Sequence, residues 1–178
     1  MDQKPVVRPV ALVGLMGAGK SEVARALGET LGASVADLDA MIEAVEGASV
    51  AELFASAGEA WFRRRESELL AQAVESGVRV IACGGGIVLD EARRSQLRER
   101  CDVVWLEVSP AEAARRVGAE PQRSRPLLAG GEPAAKLADL LAARAPLYAE
   151  VATHRVNTDG RTPAEVAGEI ARWLGPRA

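Results

Sequence analysis

The chain predicts an α/β fold in which helices cover both faces of a parallel sheet, and three observations carry that prediction. Short apolar runs at Val10 to Val13, Ser34 to Asp37, Val78 to Cys83, Val103 to Val108 and His154 to Thr158 alternate with stretches of helical periodicity. The first run leads directly into Gly14-Leu15-Met16-Gly17-Ala18-Gly19-Lys20-Ser21, a G-x-x-x-x-G-K-[ST] loop of the kind that closes a strand and opens a helix. At 178 residues the chain is long enough for one domain with a full apolar core and too short for two of ordinary size.

Taken in order, the strand at Val10 to Val13 delivers the glycine-rich loop. Its glycines let the backbone take up positive φ and turn N–H groups inward, which makes an anion cradle at the start of the next helix. Lys20 adds a cation for β and γ phosphates, and Ser21 adds a hydroxyl suited to Mg²⁺, an ion that keeps most of its waters. The second strand ends in Asp37-Leu38-Asp39. If the chain stays extended there, period-two geometry sends both carboxylates to one side, roughly 7 Å apart, one to serve a metal and the other a substrate. The structural alternative makes Asp39 the cap of a helix beginning near Ala40.

A helix from about Glu59 to Ser76 carries Arg63-Arg64-Arg65. Consecutive helical positions differ by about 100° in azimuth, so the three guanidinium groups cannot share one ligand, and sequence alone does not choose among them. Pairing with Glu68 suits Arg64 or Arg65. Gly84-Gly85-Gly86 then follows the third strand. A tight turn needs fewer glycines, and the excess favours a surface where backbone N–H groups meet a ligand. Helix starts are marked by Ser49 with Glu52, by Asp90, by Ser109 with Pro110, and by Thr162 with Pro163 and Glu165.

The stretch from Gly118 to Pro133 is rich in Gly, Pro and Arg and reads as a mobile loop. An arginine there, at 123 or 125, could close over a triphosphate and exclude water. Further on, Pro146 is expected to interrupt a helix and leave carbonyls for Arg144 to satisfy. Open α/β sheets bind ligands at the carboxyl ends of their strands, where these candidates fall.

Composition narrows the class of partner. A net charge of −3 and an aromatic content of only 3% provide neither the charge nor the stacking rings that nucleic acid requires. Cys83, Cys101 and His154 lack metal-ligand spacing, so no zinc site is expected. The apolar N-terminal stretch is cut by glycines and Lys20, which leaves no span for a bilayer and leads to the expectation of a cytoplasmic protein.

The ordered set Gly14 to Ser21, Asp37-Leu38-Asp39, Gly58-Glu59 through Phe62-Arg63 and Glu66, Gly84 to Gly86, Arg125-Pro126-Leu127-Leu128 and Arg144-Ala145-Pro146-Leu147-Tyr148 resembles shikimate kinase across essentially the whole chain. The resemblance implies a single kinase domain over residues 1–178, three-layered around a five-stranded parallel sheet and similar to nucleoside-monophosphate kinases. It implies a lid near 118–133 and a substrate-binding helical region near 39–66. It also implies ATP-dependent phosphorylation of the 3-hydroxyl of shikimate in aromatic amino-acid biosynthesis, with Mg²⁺. A monomer with no nucleic-acid or membrane partner is expected.

Carried over by position, Gly17, Ala18, Gly19, Lys20, Ser21, Glu22, Arg125 and Arg161 are expected at the nucleotide, with Arg116 beside the adenine. Ser21 and Asp37 serve the metal. Asp39, Arg63, Gly85, Gly86 and Arg144 hold the acceptor, the two arginines clamping its carboxylate. Lys20, Asp39 and Arg125 act on the reacting groups. Two positions depart from the family pattern. Glu22 stands where threonine is usual after Lys-Ser, and its carboxylate is expected to turn away from the nucleotide. Cys83 stands where threonine is frequent and is expected simply to pack.

Overall fold

A computed structural model describes residues 7–119, 128 and 132–175 of the chain. The strands β1 (Val10–Val13), β2 (Val35–Asp37), β3 (Val80–Ala82), β4 (Asp102–Glu107) and β5 (His154–Asn157) form one sheet in the order β2-β3-β1-β4-β5. Every pairing is parallel, with Val10 opposite Val80 on one side and Asp102 on the other. The expected five-stranded parallel sheet is therefore present.

Central strands of such a sheet are buried on both faces and read as continuous apolar runs, as β1 does. Its side chains divide by the period-two rule. Val10 and Leu12 join one core cluster, whereas Ala11 and Val13 join the other. The first cluster is closed by α1 (Lys20–Leu31), α6 (Pro110–Gly118) and α8 (Pro163–Leu174). The second is closed by α2 (Leu38–Glu46), α3 (Val50–Ala57), α4 (Glu59–Glu75), α5 (Glu91–Arg100) and α7 (Pro133–Val151). Each fully buried leucine or isoleucine in these layers contributes about 1.5–3 kcal/mol, so packing rather than loop geometry fixes where the strand ends lie.

The marked helix starts are all used. Ser49 with Glu52 and Thr162 with Glu165 form complete capping boxes, while Asp90 and Ser109 each accept a backbone N–H of the following turn.

Two local expectations are corrected. The chain does not stay extended through Asp39: β2 stops at Asp37, whose side chain accepts the Ala40 N–H and caps α2. Asp39 thus lies inside the first helical turn, and Asp37 is the cap. Nor does Pro146 break its helix, since α7 runs through it. Proline forfeits one bond, that to the Ala142 carbonyl, and the burial of Leu137, Arg144, Tyr148 and Val151 on one face holds the helix across the gap. Arg144 consequently reaches a different carbonyl from the one expected.

Candidate active site

The loop between β1 and α1 takes its shape from positions where no side chain fits. Gly17 has φ 80°, and a Cβ there would sit 2.8 Å from the Ala113 carbonyl oxygen. Gly14 has φ 146° and would meet the Leu106 carbonyl at 2.5 Å. The loop is thereby pressed against β4 and α6. It opens toward the N-terminus of α1, where unpaired N–H groups and the helix dipole favour an anion. Lys20 folds back over it, its Nζ donating to the carbonyls of Gly14 at 2.9 Å and Leu15 at 3.0 Å. The Ala18 N–H is turned into the loop, toward Leu15 at 3.2 Å.

Ser21 Oγ donates to Asp37 Oδ2 at 2.5 Å, linking the starts of α1 and α2. A hydroxyl beside one carboxylate oxygen is a hard, oxygen-only pair, which suits a Mg²⁺ that retains several waters. Among the described residues no group of three or more His, Cys, Asp or Glu side chains could hold a metal ion.

Arg116 lies against the other side of the loop, donating to the Gly17 carbonyl at 3.2 Å and to the Thr158 carbonyl and hydroxyl at 2.6 and 3.1 Å. Glu112 pairs with Arg116 and Arg115, and these bonds pull its carboxyl down to about 2. Arg161 is held by the carbonyls of Asn157 and Glu165 and by Glu169.

The opposite end is built around Gly84, Gly85 and Gly86. None of the three has positive φ. At 84 and 86 side chains from distant helices crowd the space a Cβ would take, whereas at 85 a Cβ would make only ordinary contacts. A Cβ on Gly84 would run into Glu66 Oε1 and lie 2.9 Å from Asp39 Oδ1, and one on Gly86 would overlap the Arg63 guanidinium. Arg63 pairs with Glu66 at 3.0 Å and rests near the rings of Phe54 and Phe62, at 5.5 and 5.6 Å. Glu66 is fully buried; burial holds its carboxyl above the ordinary range, while Arg63 acts in the opposite direction. From α7, Arg144 donates to the Gly85 carbonyl at 3.2 Å and Tyr148 to the same oxygen at 2.5 Å.

One cavity of about 820 Å³ joins the two ends. It is bordered by Gly17, Ala18, Gly19, Lys20, Ser21, Glu22 and Asp37 on one side and by Asp39, Arg63, Gly85, Gly86 and Arg144 on the other, with Arg116 and Arg161 at the rim. Glu22, in the first turn of α1, is among the residues that border the cavity. Arg123 and Arg125, and nearly all of the expected lid, lie outside the described residues. Of the helix arginines, Arg65 is engaged away from the cavity, by Glu46 and Glu68.

Sequence reasoning gave no role to Glu66, Tyr148 or Thr158. The first two stand one helical turn after Arg63 and Arg144, at i+3 and i+4, and that spacing was the available signal.

Comparison with known proteins adds to this geometry. The sequence profile of the family described as Shikimate kinase matches residues 16–175. The chain is 44% identical to a shikimate kinase of Symbiobacterium thermophilum over 94% of this chain and 97% of that one. It is 46% identical to one of Thermobifida fusca over 94% and 95%. The solved structure of shikimate kinase from Acinetobacter baumannii in complex with shikimate superposes with a TM-score of 0.87 at 36% identity, covering 94% of this chain and 93% of that one. Profile, near-full-length identity and superposition agree, and the chain belongs to the shikimate kinase family.

Proposed function

We propose that this chain transfers the γ-phosphoryl group of ATP to the 3-hydroxyl of shikimate, a step of aromatic amino-acid biosynthesis. The observation that carries the reading is the convergence of two guanidinium groups at one end of a cavity whose other end is a triphosphate loop. Arg63 from α4 overlies Gly86, and Arg144 from α7 lies 3.8 Å from the place a Gly85 Cβ would take. A paired fork of this kind suits a planar carboxylate.

With the acid group held there, the ring hydroxyls would lie toward Asp39. That carboxylate would accept the proton as the acceptor O–H bond breaks and the new O–P bond forms, while the bond from the γ phosphorus to ADP is released. Lys20 would hold charge on the transferring group, and Arg125 would close from the lid. Ser21 and Asp37 would hold Mg²⁺, which when bound neutralises charge on the β and γ oxygens. The lid at 118–133 and the acceptor region at 39–66 serve closure and positioning, since phosphoryl transfer asks little covalent chemistry of the protein.

No helix among the described residues is long and apolar enough to cross a membrane. A monomer acting in the cytoplasm on ATP and shikimate, without nucleic acid or membrane, completes the proposal. Coupled ADP-release assays with shikimate, gluconate and a nucleoside monophosphate test it. Turnover with shikimate alone is expected, and turnover only with another acceptor would overturn the reading.

A further inference from the structure

The Gly84 to Gly86 segment raises a physical problem. Three glycines in succession are the most flexible run a chain can have, yet the proposed acceptor contacts need N–H groups held in a fixed direction. Gly84 and Gly86 are not readily exchanged for stiffer residues, because Glu66, Asp39 and Arg63 occupy the space that side chains there would need. Something outside the segment has to supply the rigidity.

Tyr148 is placed to do so. Among the described residues it is the largest fully buried side chain, and its ring lies 5.6 Å from Trp105, a residue of β4. Its hydroxyl is therefore a fixed post. That hydroxyl donates to the Gly85 carbonyl at 2.5 Å, at the short end of the O–H···O range. The Gly85 C=O and the Gly86 N–H belong to one planar peptide unit. Fixing the oxygen fixes the opposite N–H, and it blocks the peptide flip that glycine neighbours would otherwise permit.

Arg144 reaches the same oxygen at 3.2 Å, and its charge lies close enough to the phenol to oppose the rise that burial causes. If Arg144 turns its donors to a substrate carboxylate, the Gly85 carbonyl still keeps Tyr148. Burial pushes the phenol up to about 12, so it remains a proton donor throughout the working range of pH.

Resting on the acceptor site proposed above, we infer that Tyr148 is a positioning residue for the acceptor: its hydroxyl locks the Gly85–Gly86 peptide without touching substrate. The test is Tyr148→Phe, which keeps the ring and removes the oxygen. The shikimate KM is expected to rise about tenfold, as loss of one buried hydrogen bond allows, with the ATP KM unchanged. A purely structural tyrosine would lower the melting temperature and leave both KM values alone, and that result overturns the inference.

Tyr148 is the chain's single tyrosine, which provides a second readout that needs no variant. In enzyme carrying 3-fluorotyrosine, the one ¹⁹F resonance is expected to shift on adding shikimate and to stay in place on adding ATP alone. If Tyr148→Phe does not fold, this resonance decides. An unmoved signal in an enzyme that turns over shikimate removes the inference and leaves the proposed function standing, whereas wild-type enzyme inactive on shikimate removes both.

Discussion

The two glycine runs that face each other across the cavity solve different problems. In the loop before α1, Gly14, Gly17 and Gly19 have φ of 146°, 80° and 83°, so the backbone itself requires glycine. In Gly84 to Gly86 no φ is positive, and at 84 and 86 glycine is favoured by what surrounds it. One end of the cavity is a local device, specified by eight consecutive residues. The other is a tertiary device, assembled from α2, α4 and α7 around a short glycine turn. The comparison teaches that glycine content alone does not reveal which kind of site is present.

The largest expected effects mark the chemistry at each end. Lys20→Ala should lower kcat by about 10²–10³-fold, and Asp39→Asn by about 10²–10⁴-fold. Both variants should unfold in urea close to wild type. Near-normal turnover in a folded Asp39→Asn protein would remove that carboxylate from the proton-transfer role.

Next come the glycines themselves. Gly17→Ala forces an L residue into the left-handed region, at roughly 1–2 kcal/mol, and drives a methyl into Ala113, so stability and ATP binding should fall together. A methyl at position 85 would sit 3.4 Å from the Gly14 carbonyl oxygen with no φ penalty. Gly85→Ala should therefore keep its urea midpoint and raise the shikimate KM several-fold. Equal destabilisation of the two variants would mean that both glycine runs are fixed by backbone conformation alike.

The Arg63–Glu66 pair gives a third, pH-dependent test. Burial raises the Glu66 carboxyl above its ordinary value of 4.5, and Arg63 counteracts that rise. A carboxyl raised in the folded state contributes most to stability below its ordinary value, and that contribution is lost as pH climbs through the raised one. Without Arg63 the rise is larger. Arg63→Ala should thus melt well below wild type at pH 7 and recover part of the deficit as pH falls toward 5. Its shikimate KM should increase with the ATP KM little changed. A deficit independent of pH would show that the pair is electrostatically idle.

The smallest effect is expected at Glu22, which borders the cavity from the first turn of α1. Glu22→Ala should alter ATP affinity by less than tenfold in a titration. Tightening beyond tenfold would mean that its carboxylate opposes the phosphates directly.

The same contrast explains what was legible in the sequence. Strand alternation, capping boxes and the phosphate loop are local patterns, and the structure reproduces them within a residue or two. The roles of Asp37 and Asp39 were half legible: both line the cavity, but the helix begins at Leu38, so Asp37 caps it. Pro146 misled because propensity ignores the packing that carries α7 across it. Glu66 and Tyr148 were missed for a related reason. Tyr148 acts on a carbonyl 63 positions away in sequence, and no short window contains both partners.

The two cysteines occupy opposite ends of the sheet, Cys83 just after β3 and Cys101 just before β4. Burial pushes Cys83 well above its ordinary 9.0 and Cys101 to about 11, so both persist as inert thiols. Cys101 is fully sealed, and its alkylation in the native protein must await breathing of the surrounding layers, whereas Cys83 borders the cavity. The chain therefore carries two unlike reporters, one that a ligand in the cavity would shield and one that times the opening of the far edge.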